Sequence, residues 1–91
     1  MDPVKVLQRA YQDELLDALR AEGAAQGVPY PHVRALLLEV ARRERAHAEA
    51  LAEPLRRRGA PLPPTPKPEE GGWETLPRLL SEEGLDRAYY L

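Results

Sequence analysis

Apolar residues recur every three or four positions over two stretches of the chain, a period that predicts two amphipathic helices. In the first, Val4, Leu7, Tyr11, Leu15, Ala18 and Leu19 fall on one side. Gln8, Gln12, Asp13 and Arg20 fall mostly on the other, and Leu16 points outward. Asp2 is placed to cap this helix and Pro3 suits its first position, with the end expected near Gly23. The second stretch, from about Pro31 to about Arg58, lines up Val33, Leu37, Val40, Glu44, His47, Leu51 and Leu55 in steps of three and four, with Gly59 as its stop. Pro54 lacks an N–H and crowds the carbonyl of Ala50, so the last turn is expected to kink or end early. Between the stretches, Gly23 to Pro31 holds two glycines and two prolines. A connection this short makes the helices antiparallel neighbours.

Beyond Gly59 the period disappears. Pro61, Pro63, Pro64, Pro66 and Pro68 predict an extended, semi-rigid spacer, and from Trp73 a short helix is expected, interrupted at Gly84 and resumed through Tyr89-Tyr90-Leu91. The chain thus divides into a helical hairpin over 1–59, a proline-rich spacer over 60–72 and a C-terminal docking segment over 73–91. Exposed Trp73 and its neighbouring leucines would be costly, so this tail is expected to dock on the hairpin, on a second subunit or on a protein partner.

Glu44 and His47 occupy positions in the second stripe where the pattern asks for apolar residues. A buried carboxylate without a partner costs several kcal/mol, more than a small domain can easily lose. The plain reading is a buried Glu–His hydrogen bond, or a Glu44 pairing with Arg43 or Arg45 reaching round the helix. The sharper reading brings in Glu14, at the margin of the first apolar side. Counted from the turn, Glu14 lies about 11 residues back and Glu44 about 13 forward, or about 17 and 20 Å at ~1.5 Å per residue. The two should face each other within one turn, with Glu14 and Glu44 as carboxylate ligands and His47 as a nitrogen ligand for a shared cation. Tyr11, one turn before Glu14, is read as a core aromatic that can also hydrogen-bond a ligand carboxylate or donate an electron. Glu22 falls near the stripe at the loop end, where a solvated carboxylate is expected, and His32 is expected to be exposed.

Two helices leave half of each apolar face in water, so the hairpin needs a second hairpin. A twofold homodimer closes a four-helix bundle and doubles the ligand set to four Glu and two His, the inventory of di-iron carboxylate bundles. Glu14, then thirty residues, then Glu44-Arg-Ala-His47 within Arg42-Arg43-Glu44-Arg45-Ala46-His47-Ala48, resembles the ferritin-like superfamily over roughly residues 3 to 58. The half-length encapsulated ferritins are the nearest match in kind. The resemblance implies an all-α fold and a ferroxidase-type centre. It would hold two iron ions per dimer between subunits and oxidise Fe(II) with dioxygen or peroxide. The same donors suit manganese or zinc. Departures are visible. Asp13-Glu14 only approximates that family's acidic pair, and Arg20-Ala21 stands where it carries two aromatics. The tail holds no recognisable encapsulin-docking peptide, and the proline spacer is foreign to the family. Rubrerythrins fit less well without rubredoxin cysteines, and Met1 alone cannot bridge haem between subunits.

Composition narrows the remaining choices. With no cysteine, thiolate zinc sites, iron–sulfur clusters and disulfides are excluded, which fits a cytoplasmic setting. Thirteen basic against fifteen acidic residues provide no broad footprint for nucleic acid or an anionic membrane, and Arg56-Arg57-Arg58 is read as complementing a helix C-terminus. No run approaches the ~18 apolar residues of a membrane span. Ser81, the only serine, offers no hydrolytic triad. Glu82-Glu83 could imitate the third-helix Glu of a full-length chain, but no second Glu-x-x-His follows. The rival to a metal enzyme is a metal-free helical homodimer that acts as a protein–protein interaction module through its proline spacer and tail.

Overall fold

A computed structural model describes residues 2–68. They hold two α-helices and no strand, α1 over Pro3–Gly27 and α2 over Pro31–Arg57. Glu22 meets Arg45 and Glu14 meets His47 across the interface, so the helices run antiparallel as a hairpin. The helix expected from Trp73 and the docking of the tail lie outside the described residues. No helix among the described residues is long and apolar enough to cross a membrane.

The helix ends follow from local chemistry. Asp2 caps α1, its Oδ1 accepting from the Val4 N–H at 3.0 Å, with Pro3 in the first turn. At the same end of the hairpin α2 closes in a Schellman motif. The Ala60 N–H donates to the Leu55 carbonyl at 3.0 Å and the Gly59 N–H to the Arg56 carbonyl at 3.0 Å, while Gly59 takes φ +66°. Pro54 neither ends nor shortens the helix, which runs on to Arg57. Its missing N–H affects only the carbonyl of Ala50, an exposed residue that water can satisfy.

Two expectations about α1 need correction. The helix passes through Gly23 and ends at Gly27, leaving a connection of only Val28 to Tyr30. A glycine in a helix costs about 1 kcal/mol relative to alanine. Here the flanking Ala21, Ala24 and Ala25 are all buried against α2, and their packing outweighs that cost. Arg34 secures the short turn by donating from Nη2 to the Val28 carbonyl at 2.9 Å. Leu16, expected to point outward, is half-buried.

The core is a seam of small residues. Ala18, Ala21, Ala24 and Ala25 of α1 are buried with Ala41, Ala48 and Ala52 of α2, alongside Leu15, Val28, Leu37, Val40 and Leu55. Alanine contacts let the two helix axes approach closely, because interaxial distance is set by the side chains at the crossing. One apolar cluster joins Ala21, Val40 and Ala41, and a second joins Ala24, Ala25, Val28 and Leu37. Both belong to the turn half of the hairpin. On α1 no described residue before Leu15 is buried.

Candidate metal centre

Glu44 lies midway along α2 on the buried line that runs through Leu37, Val40, Ala41, Ala48, Ala52 and Leu55. Its carboxylate side chain is 3 % exposed, against 30 % for Glu14 and 56 % for His47. His47 is therefore not central on the buried face, as the stripe of large apolar residues suggested. α1 packs over the alanines of α2, which turns the buried line toward Ala41, Ala48 and Ala52 and leaves His47 on its flank. The half-buried Val33, Leu36 and Leu51 share that flank at helical spacing.

The three ligand-type side chains nonetheless converge. One donor atom from each of Glu14, Glu44 and His47 lies within 4.8 Å of the others. His47 Nδ1 stands 3.4 Å from Glu14 Oε2 and 3.5 Å from Glu44 Oε1. Both separations exceed a good N–H···O distance of about 2.9–3.0 Å. They match the spacing of two donors around one ion, since metal–ligand bonds of about 2.0–2.2 Å put neighbouring ligand atoms about 3.0–3.5 Å apart. Glu14 Oε2 is buried and accepts no hydrogen bond among the described residues. Two carboxylates so close together, one of them almost fully buried, favour a cation beside them.

Arg43 and Arg45, the sequence neighbours of Glu44, pair with other carboxylates. Arg45 reaches across to α1 and grips Glu22 with two bonds, Nη2 to Oε1 at 2.7 Å and Nε to Oε2 at 3.0 Å. This hydrogen-bonded pairing holds the Arg45 guanidinium above its ordinary pKa. Glu22 is thus an interhelix brace and not a solvated loop carboxylate. Arg43 pairs with Glu39 at 3.6 Å, and Arg42 also bonds Glu39. Tyr11 is half-buried on α1. His32 is exposed and its ring lies 6.4 Å from that of Tyr30, at the turn.

The brace between Glu22 and Arg45 left no trace in the apolar period, because both residues sit at the margins of their stripes. A weak signal exists. Glu22 lies eight residues after Glu14 on α1, about 80° round the axis and so within the width of one amphipathic face. Comparison with family models, curated proteins and solved structures finds no match to this chain.

Proposed function

We propose that the chain is a half-length ferritin-like subunit that pairs with a second copy as a four-helix bundle and oxidises Fe(II) with dioxygen or peroxide, for iron handling or oxidant detoxification in the cytoplasm. The observation that carries this reading is the convergence of Glu14, Glu44 and His47 within 4.8 Å on two antiparallel helices. The flank holding His47 also carries half-buried Val33, Leu36 and Leu51, the kind of surface that a second hairpin would cover. Two copies would bring four carboxylates and two imidazoles around two iron ions, with manganese or zinc suited to the same donors.

The residues have separable tasks in this reading. Glu44, buried on α2 between Ala41 and Ala48, would supply a carboxylate ligand from a desolvated setting. Glu14, more exposed, supplies a second carboxylate from the opposite helix. His47 offers Nδ1 toward both, and its exposed ring lies where the partner copy would close over the site. Such hard oxygen donors favour the higher charge of Fe(III) and so assist electron loss. Two Fe(II) ions release one electron each; together with two protons these reduce dioxygen to hydrogen peroxide, or peroxide to water.

Oxygen consumption after anaerobic Fe(II) loading tests the reading. Wild-type protein is expected to accelerate Fe(II) oxidation over the buffer rate, and His47→Ala, which removes an exposed side chain, is expected to keep the helical content and lose the acceleration. Equal rates for wild type, variant and buffer would contradict it and favour the metal-free interaction module.

A further inference from the structure

The proline segment does not leave the hairpin as a free spacer. Gln8 donates from Nε2 to the Pro61 carbonyl at 2.9 Å, and Gln12 donates from Nε2 to the Pro64 carbonyl at 3.4 Å. These are contacts between the polar side of α1 and a segment more than fifty residues away. The spacing is matched on both sides. Gln8 and Gln12 are four apart, on one face of α1 and about 6 Å apart along its axis. Pro61 and Pro64 are three apart, one turn of a polyproline helix, so their carbonyls point the same way about 9 Å apart. The long glutamine side chains can span the difference of about 3 Å. Leu62 and Pro63, between the two bonded carbonyls, are half-buried.

The location matters as much as the register. The segment is tied covalently to the end of α2 through Gly59 and Ala60, and it lies over Lys5, Gln8, Arg9, Gln12 and Asp13 of α1. That is the half of α1 in which no described residue is buried, although Ala48, Ala52 and Leu55 of α2 are buried at the same end of the hairpin. We propose that Pro61–Pro64 is a strap, clasped by the amides of Gln8 and Gln12, that closes the open end of the hairpin within one chain and holds the first three turns of α1 against α2. Glu14 stands at the boundary between the strapped and the core-packed halves.

The test uses metal-free full-length protein and the paired substitution Gln8→Glu and Gln12→Glu, which keeps side-chain size and removes both donors. Amide hydrogen exchange is expected to quicken at least tenfold over residues 6–12 of α1, with little change over residues 18–25. Gln8→Glu alone should produce most of the effect, since its bond is the shorter. Gln26→Glu, an exposed glutamine near the turn, should change neither half. Unchanged exchange over 6–12, or equal acceleration in both halves, would overturn the strap. A nitroxide on Thr65→Cys, the only cysteine in that chain, supplies a second readout. It should broaden the amides of residues 5–13 with Gln8 and Gln12 intact and spare them in the paired variant. Absence of broadening with the glutamines intact, or its appearance only between differently labelled molecules, would contradict a clasp within one chain.

Discussion

Replacing Glu44 by leucine separates stability from metal binding at one position. The Glu44 side chain is 3 % exposed, so leucine would occupy a desolvated site of similar volume. Burying a leucine is worth about 1.5–3 kcal/mol. Exchanging buried ionic groups for apolar ones is often neutral or stabilising, by about 1–4 kcal/mol. The opposing effect is the loss of about 3–5 kcal/mol when removal of one partner strands a buried charge. Of the donors beside Glu44, the Glu14 and His47 side chains are 30 % and 56 % exposed and can turn to water, which limits that loss. Metal-free Glu44→Leu is therefore expected to melt higher than wild type, at roughly 4–8 °C per kcal/mol for a domain of this size. Fe(II) reverses the comparison. At a hundredfold excess over Kd, wild type should gain about 2.7 kcal/mol, and the variant, lacking the central carboxylate, far less. Anaerobic thermal melts followed by circular dichroism, at one protein concentration with and without Fe(II), read both quantities. A metal-free variant that melts below wild type would refute the packing argument, and an equal Fe(II) shift in both proteins would refute the assignment of Glu44 as a ligand.

Gly23→Ala should stabilise the protein by roughly 0.5–1 kcal/mol in denaturant unfolding, because Gly23 is exposed inside α1 and an added Cβ would meet nothing within 4 Å. Arg45→Met should cost about 0.2–1 kcal/mol through loss of the Glu22 brace, and the difference from wild type should shrink in high salt. Hydrogen bonds from Arg42 and Arg56 hold the Glu39 and Glu49 carboxyls below their ordinary value of 4.5. Their folded pKa lies under the unfolded one, so these pairs contribute above 4.5 and lose that contribution as acid carries the pH through the lower folded value. Urea unfolding across this range should show stability falling with pH, with a shallower fall in Glu39→Gln/Glu49→Gln.

The hairpin was legible because its signals are strong and local. Asp2-Pro3 opens α1, Gly59 closes α2, and large apolar residues repeat at the helical period between them. The detail that was not legible comes from small and polar residues. Alanines carry little weight in a reading of apolar period, yet Ala21, Ala41, Ala48 and Ala52 form the interface and turn His47 to its flank. Gly23 suggested a stop, but a glycine flanked by buried alanines can be held in a helix by tertiary packing. Gln8 and Gln12 looked like a solvated face because their partners, Pro61 and Pro64, are far off in the chain and offer only backbone carbonyls. Glu14 was found by counting residues from the turn. The shorter turn moves only the first count, since α1 runs on to Gly27 while α2 still starts at Pro31, and Glu14 and Glu44 then stand equally far from the turn, with His47 beside them.

Native mass spectrometry of protein loaded anaerobically with Fe(II) tests the central claim most directly, since it reads subunit number and bound metal in one spectrum. A dimer, or an oligomer of dimers, carrying two iron ions per pair of chains is the predicted result, with the metal lost in Glu44→Leu. A monomer, or fewer than one bound ion per dimer after loading, would contradict it.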